Sequence, residues 1–167
     1  MATKGPSVGI VMGSKSDLEV MKTASTILAQ FGITSEIRVI SAHRTPDIAA
    51  EYAKTAAGRG LKAIIAGAGA AAHLAGAMAA NTTLPVIGVP LASGALNGVD
   101  ALYATVQMPT GVPVATVAIN GSANAAILAA QIMATSDKKL AAKMVEYKES
   151  IKAKAIEADE EVAKANK

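Results

Sequence analysis

Apolar positions along the chain fall into two kinds of run. Val8, Ile10, Val11 and Met12 form a short, nearly continuous apolar stretch, and similar stretches occupy Thr34 to Ile40, Leu61 to Ala66, Pro85 to Pro90 and Val114 to Ile119. Runs of this length without alternation suit strands buried on both faces of a parallel sheet. Between them the spacing changes to that of a helix. Leu18, Met21, Ala24, Ile27, Leu28 and Phe31 share one face, with Ser16 or Asp17 as the natural N-cap and Gly32 as the stop. Further helices are predicted from Pro46 to about Gly58, near Ala77 to Asn81, over Val99 to Gln107, and over Ala123 to Ala134, an alanine-rich run of strong helix formers. Five strands alternating with helices imply an α/β fold, with a five-stranded parallel sheet covered on both faces.

The pattern changes again near the end. From Lys138 onward, Leu140, Met144, Tyr147, Ile151, Ala155, Ala158 and Val162 recur at alternating four- and three-residue steps with Lys and Glu between them, which predicts one long amphipathic helix. It could fold back on its own domain, but at this length an apolar stripe remains for another subunit, so oligomer contact is expected. Residues 1 to 6 read as a loose start and Ala163 to Lys167 as a frayed end. The expected organisation is a single domain over 1–167, with a catalytic core at 7–135 and a helical tail at 136–167.

Composition narrows the function. A chain of 167 residues is the size of one ordinary domain. At 51% hydrophobic and 17% charged it is not disordered, and with 2% aromatic residues its core must be built from Ala, Val, Ile, Leu and Met. There is no cysteine and there are only two histidines, so thiolate chemistry is absent and a metal cage of the protein's own is not expected. The net charge is +3, yet Ser136 to Lys167 holds 8 of the 16 basic and 7 of the 13 acidic residues. No basic stripe with interleaved aromatics is left in the body, which disfavours nucleic acid and leaves anionic small molecules as partners. No apolar run reaches the roughly 18–20 residues of a membrane span, and the start lacks an apolar leader, so a cytoplasmic protein is expected.

The candidate chemistry sits in turns that follow strands. Ser41-Ala42-His43-Arg44-Thr45-Pro46 places a hydroxyl, an imidazole and a guanidinium in one strand-to-helix turn, with Pro46 suited to the first helical position. Such a turn can bind an anion and move a proton. Gly13-Ser14-Lys15-Ser16-Asp17 follows the first strand and offers hydroxyls and free N–H groups at a helix start, with Lys15 able to add charge. It matches neither the Walker pattern nor the dinucleotide fingerprint, and a capping turn without a ligand is its plainer reading, as a helix cap is for Asp17. The other histidine, His73, lies in a loop bracketed by Gly67, Gly69 and Gly76 after the third strand. In parallel α/β folds ligands bind at the carboxyl ends of strands, near the point where strand order reverses. All three turns belong to that edge.

Taken together, Val11-Met12-Gly13-Ser14-Lys15-Ser16-Asp17, the Ser41 to Pro46 turn, Gly67-Ala68-Gly69, Ala71-Ala72-His73-Leu74, Pro85-Val86-Ile87-Gly88-Val89-Pro90 and Val106-Gln107-Met108-Pro109 closely resemble the catalytic subunit of the purine-biosynthesis family phosphoribosylaminoimidazole carboxylase. The likeness runs from about Val8 to Ala134, and the tail is alike only in being helical. It implies a three-layer flavodoxin-like fold, a homo-octamer, and no metal or organic cofactor. In bacteria the family's reaction is that of an N5-carboxyaminoimidazole ribonucleotide mutase, moving carboxylate from the exocyclic nitrogen to carbon 4 of an aminoimidazole ribotide by way of carbon dioxide. The bacterial-type pattern around Ser41 to Pro46 and Val106 to Pro113 favours that reaction. Direct carboxylation of aminoimidazole ribotide by free carbon dioxide is the alternative, and a non-catalytic nucleotide-binding module on the same fold is a third reading.

Carried over by position, the resemblance implies that Ser14, Ser16 and Arg44 form the phosphate and ribose end of the site, that Asp17 contacts the ribose, that Ser41 lies close to the base and the transferred carboxylate, and that Gly13 is among the substrate-binding residues. It makes His43 the general acid/base, with Gly69 and His73 completing the site. Two positions depart from the family pattern: Ala70 stands where a glycine is common and Ala75 where a proline is. If position 70 requires a positive φ, alanine there costs on the order of 1 kcal/mol.

Overall fold

The structure is a computed structural model and describes residues 5–166; residues 1–4 of the expected loose start and Lys167 at the expected frayed end lie outside that range. Five strands form one all-parallel sheet: β1 (Val8–Met12), β2 (Ser35–Val39), β3 (Ala63–Gly69), β4 (Val86–Leu91) and β5 (Ala115–Thr116), in the order β2-β1-β3-β4-β5. The helices are α1 (Leu18–Gln30), α2 (Pro46–Ala56), α3 (Leu74–Ala79), α4 (Val99–Val106), α5 (Ser122–Ala134) and α6 (Lys138–Ala165). Strand order reverses between β1 and β3, so the crevice expected at a switch point opens beyond Met12 and Gly69.

The sheet's register explains why its central runs are apolar throughout. Ile10 stands beside Ile37 on one side and Ile65 on the other, and Ile65 beside Ile87. Every residue of β1 and β4 is buried, as a strand covered on both faces must be, whereas β2 at the sheet edge is half-buried to exposed. Val11, Ile40, Tyr52, Ile64, Leu74 and Met78 belong to the core between the sheet and the helices α2 and α3.

Three element boundaries differ from the sequence pattern. β3 runs on through Gly67, Ala68 and Gly69, which pair with Val89, Pro90 and Leu91, so these glycines belong to a strand and not to a loop. Gly67 must be small because a Cβ there would overlap the Met21 sulfur. α3 begins at Leu74, directly after His73, and contains Gly76, against which the Met108 methyl packs. β5 is only two residues long where Val114 to Ile119 was expected. Beyond Thr116 its backbone is held by separate bonds, from Val117 N–H to Gly88 O and from Asn120 N–H to Pro90 O, and Pro90 has no N–H to return.

The chain divides into two compact units, the first ending at Ala129 and the second beginning at Ala130. The second holds the end of α5 and the whole of α6. Asp137 caps α6, accepting from the backbone N–H groups of Lys139 and Leu140 at 2.9 and 3.1 Å. Helix α6 continues to Ala165, past the point where fraying was expected, and only Leu140 and Met144 of it are buried. Ile151, Ile156 and Val162 are exposed. No described helix is long and apolar enough to cross a membrane.

Candidate active site

The first wall of the site is the turn after β1. Its backbone leaves the sheet at Gly13, whose N–H still donates to Gly67 O, and then forms a single 3-10 turn, Lys15–Asp17, ahead of α1. Ser14 caps this 3-10 turn, while Asp17 holds the N-cap position of α1 without a side-chain bond to that helix. Ser14 Oγ accepts from Ser16 N–H, and Asp17 reaches back to accept from Ser14 N–H at 3.1 Å, a reciprocal capping box. The 3-10 turn inserted before α1 explains the side-chain cap at Ser14, because it moves the first orphan N–H groups upstream. Ser16 Oγ lies 2.9 Å from Ser14 Oγ and 3.2 Å from an Asp17 oxygen. Asp17 therefore has a capping part through its bond to Ser14 N–H, and it also lines the cavity.

The second wall is the turn between β2 and α2. Thr45 locks it by donating its hydroxyl to Ser41 O at 2.9 Å and accepting from Ser41 N–H at 3.1 Å, and Pro46 opens α2 at its first position. Arg44 is held by neutral oxygens alone. Its backbone N–H and Nε–H donate to Ser41 Oγ at 3.2 and 3.3 Å, and Nη2 donates to Gly13 O at 2.8 Å. A guanidinium has five N–H donors. Two of Arg44's are used, and among the described residues no carboxylate pairs with it.

The third wall follows β3. Ala70 has φ 49°, the left-handed value at which an alanine costs roughly 1–2 kcal/mol. Position 70 thus does require a positive φ, and this chain holds it without the glycine common in the resembled family. The kink turns the backbone toward His73, which stands just before α3. Nε2 of His43 lies 2.8 Å from Nδ1 of His73, with the rings nearly perpendicular at 81° and their centroids 5.0 Å apart.

These walls enclose one open cavity of about 400 Å³. Gly13, Ser14, Ser16, Asp17, Ser41, His43, Arg44, Gly69 and His73 all line it, so the structure brings every predicted site residue together. Lys15 is not among the lining residues. Ser93 is, and the sequence reading missed it. Ser93 follows β4, so the rule that picked out the other turns could have found it. A Cβ at Gly69 would overlap the Ser93 hydroxyl, which ties that glycine to this serine. Small apolar groups, Ala42, Ala68, Ala71 and Leu74, cover the remaining surface. The arrangement offers an uncompensated cation, hydroxyls, paired imidazoles and room for a mononucleotide-sized anion.

Comparisons with known proteins agree with this geometry. The AIR carboxylase family matches residues 7–154. An N5-carboxyaminoimidazole ribonucleotide mutase of Thermotoga maritima is 59% identical over 152 residues, covering 91% of this chain and 89% of the relative. That of Bacillus subtilis is 55% identical over 159 residues, covering 94% and 98%. A phosphoribosylaminoimidazole carboxylase of Schizosaccharomyces pombe is 54% identical over 96% of this chain, which spans only 29% of that longer protein. Among solved structures, the crystal structure of Treponema denticola PurE superposes with a TM-score of 0.84 at 34% identity, covering 93% of this chain and 98% of that one. With most of its length matched by the family and relatives more than half identical across it, the chain belongs to the AIR carboxylase family.

Proposed function

We infer that the protein is an N5-carboxyaminoimidazole ribonucleotide mutase of purine biosynthesis, an isomerase that shifts carboxylate from the exocyclic nitrogen to carbon 4 of an aminoimidazole ribotide. The observation that carries this reading is the match to relatives of that name over nearly their whole length and nearly the whole of this chain. The cavity is chemically suited to it. Arg44, with three N–H donors to spare, and the Ser14 and Ser16 hydroxyls receive the phosphate and ribose, with Asp17 on the ribose and Ser41 near the base. Gly13 and Gly69 let the backbone approach closely.

In the proposed reaction the substrate's exocyclic nitrogen takes a proton as its bond to carbon dioxide breaks. The electron-rich carbon 4 then attacks the retained carbon dioxide. The hydrogen that carbon 4 still carries must leave to restore the aromatic ring. His43 gives the first proton and takes the second, so one imidazole closes the cycle. The apolar wall of Ala68, Ala71 and Leu74 provides no water partner for the carbon dioxide held between the steps. Proton transfer and retained carbon dioxide suffice, and no cofactor enters the scheme.

Direct carboxylation of aminoimidazole ribotide is the second reading, favoured by the likeness to part of the Schizosaccharomyces pombe carboxylase. Supplying each ribotide separately, the second with bicarbonate, and identifying the carbon 4 carboxylate separates the two. Product only from the carboxyamino ribotide supports the mutase, product only from the second supports the carboxylase, and no product from either leaves a binding module.

We further propose a cytoplasmic homo-octamer in which the 136–167 tail makes subunit contacts. The support is the apolar stripe of α6, exposed at Ile151 and Val162. Truncation after Ala134 should lower the mass seen by light scattering. An unchanged mass and melting temperature would give the tail another role.

A further inference from the structure

His43 and His73 are the chain's only histidines, and they come from turns thirty residues apart to meet at 2.8 Å, Nε2 to Nδ1. A hydrogen bond between two ring nitrogens needs an N–H on one and a lone pair on the other, so the contact leaves only two proton arrangements. The remaining nitrogens, Nδ1 of His43 and Nε2 of His73, make no hydrogen bond to any described residue. Both rings border the cavity.

We propose that His73 is a positioning residue: its Nδ1 accepts from Nε2–H of His43, which commits that nitrogen and makes Nδ1 of His43 the atom that gives and takes the proton. The proposal rests on the mutase reading, in which His43 is the acid/base, and adds which of its atoms acts and what selects it. Counting protons favours the first arrangement, in which the inter-ring bond need not change during the cycle. When His43 is charged and ready to give a proton, both its nitrogens carry hydrogen, so Nε2 can only donate to His73. After the Nδ1 proton has left for the exocyclic nitrogen, Nε2–H still donates and Nδ1 holds the lone pair that later removes the carbon 4 proton. The inter-ring bond is the same before and after. In the reverse arrangement a neutral His43 bears its proton on Nδ1 while Nε2 accepts from His73. Giving that proton up leaves the pair with a negative charge when His73 is neutral; it balances only when His73 starts charged and passes its Nδ1 proton across to Nε2 of His43, which would make His73 a proton carrier in its own right.

The backbone supports a fixed acceptor. His73 N–H donates to Ala71 O and its carbonyl accepts from Ala77 N–H, both at 2.9 Å, so the residue is pinned at both peptide groups just before α3. The His43 turn is pinned by the paired bonds between Thr45 and Ser41. The strained Ala70 lies three residues before His73, so the inter-ring distance depends on a backbone value that alanine holds only at a cost.

The test uses the full-length enzyme with 15N-labelled imidazole rings, at a pH where titration of the same signals shows His43 neutral. Ring 15N shifts distinguish a nitrogen bearing hydrogen from one with a lone pair. The wild type should carry its His43 proton on Nε2. His73→Asn keeps an acceptor oxygen near the place of Nδ1, so it should retain that tautomer and lose less than about tenfold in kcat. His73→Leu fills the space without an acceptor; it should mix the tautomers and lower kcat by about a hundredfold with a much smaller change in KM. A wild-type His43 with its proton on Nδ1 would overturn the assignment. So would His73→Leu with an unmixed Nε2–H tautomer, or equal large losses in both variants, which would make His73 a proton carrier in its own right. If the wild type turns over neither ribotide, the functional reading fails while the tautomer comparison still decides the pairing.

Discussion

Two arginines flank helix α2 and have opposite surroundings. Arg59, just beyond the helix, donates to Glu36 at 2.6 Å and lies over the ring of Tyr52, 4.6 Å from its centroid. The Tyr52 hydroxyl donates to the same Glu36 oxygen at 2.8 Å. Burial by itself would push the Glu36 carboxyl up, but the hydrogen bonds from Arg59 and Tyr52 outweigh it and hold the group below its usual range. Burial and the bond to Glu36 push the Tyr52 phenol up, so it stays a donor. Arg44, just before the helix, has hydroxyl and carbonyl oxygens as partners and, among the described residues, no carboxylate. The first cluster is closed: its charges and donors are used among themselves, over Gly9, where a Cβ would overlap the Tyr52 hydroxyl. The second is positioned but uncompensated, which is the state a cation must be in to attract an anionic ligand. Position along the chain does not separate the two; the presence or absence of a carboxylate does.

The sharpest test of this contrast lies at the open site. His43→Asn keeps approximate size and one polar end but cannot carry a proton, so turnover should fall by about a hundredfold or more while ribotide binding and melting temperature persist. A large fall in melting temperature would instead make His43 structural, and near-normal turnover would move the acid/base elsewhere.

Next in size is Arg44→Ala, which should weaken ribotide binding by roughly tenfold to a hundredfold, the loss of one or two charged hydrogen bonds. Arg44→Lys keeps the charge without the fork and should cost less. Calorimetry showing unchanged affinity in both would place the phosphate away from Arg44, and would remove the functional half of the comparison.

The smallest effect belongs to the closed cluster. A carboxyl whose folded pKa is lowered adds stability above its unfolded value of about 4.3, and that stability is lost as pH falls through the folded value. Glu36→Gln should therefore lower the melting temperature by roughly 2–4 °C near neutral pH, with the gap to the parent closing in acid. Turnover should be unchanged. A gap that is constant with pH would mean that the carboxylate charge contributes nothing there.

How much was legible in the chain follows from the range of each interaction. The bounds of β1, the start of α2 at Pro46 and the long α6 were readable because apolar spacing, proline and helix-forming residues act over a few neighbours. The candidate residues were readable as a group because each follows a strand, and strands of a parallel sheet end on one edge whatever their order. Ser93 follows the same rule but sits in a loop with no charge or imidazole to draw notice.

What the amino-acid sequence determined by itself was the alternation of strands and helices, the parallel sheet, and the set of turns carrying hydroxyl, guanidinium and imidazole groups. Tertiary structure alone decided that β3 extends through Gly67 and Gly69, since those glycines are strand residues only because Val89 and Leu91 stand beside them and Met21 and Ser93 fill the space a side chain would need. It also decided that Ser14 caps the first turn, that Arg59 is neutralised and Arg44 is not, and that two histidines thirty residues apart share one hydrogen bond. Local pattern reports the backbone preferences of adjoining residues, whereas a counter-ion or a ring partner is supplied by another turn, and only the folded sheet edge brings those turns within 3 Å.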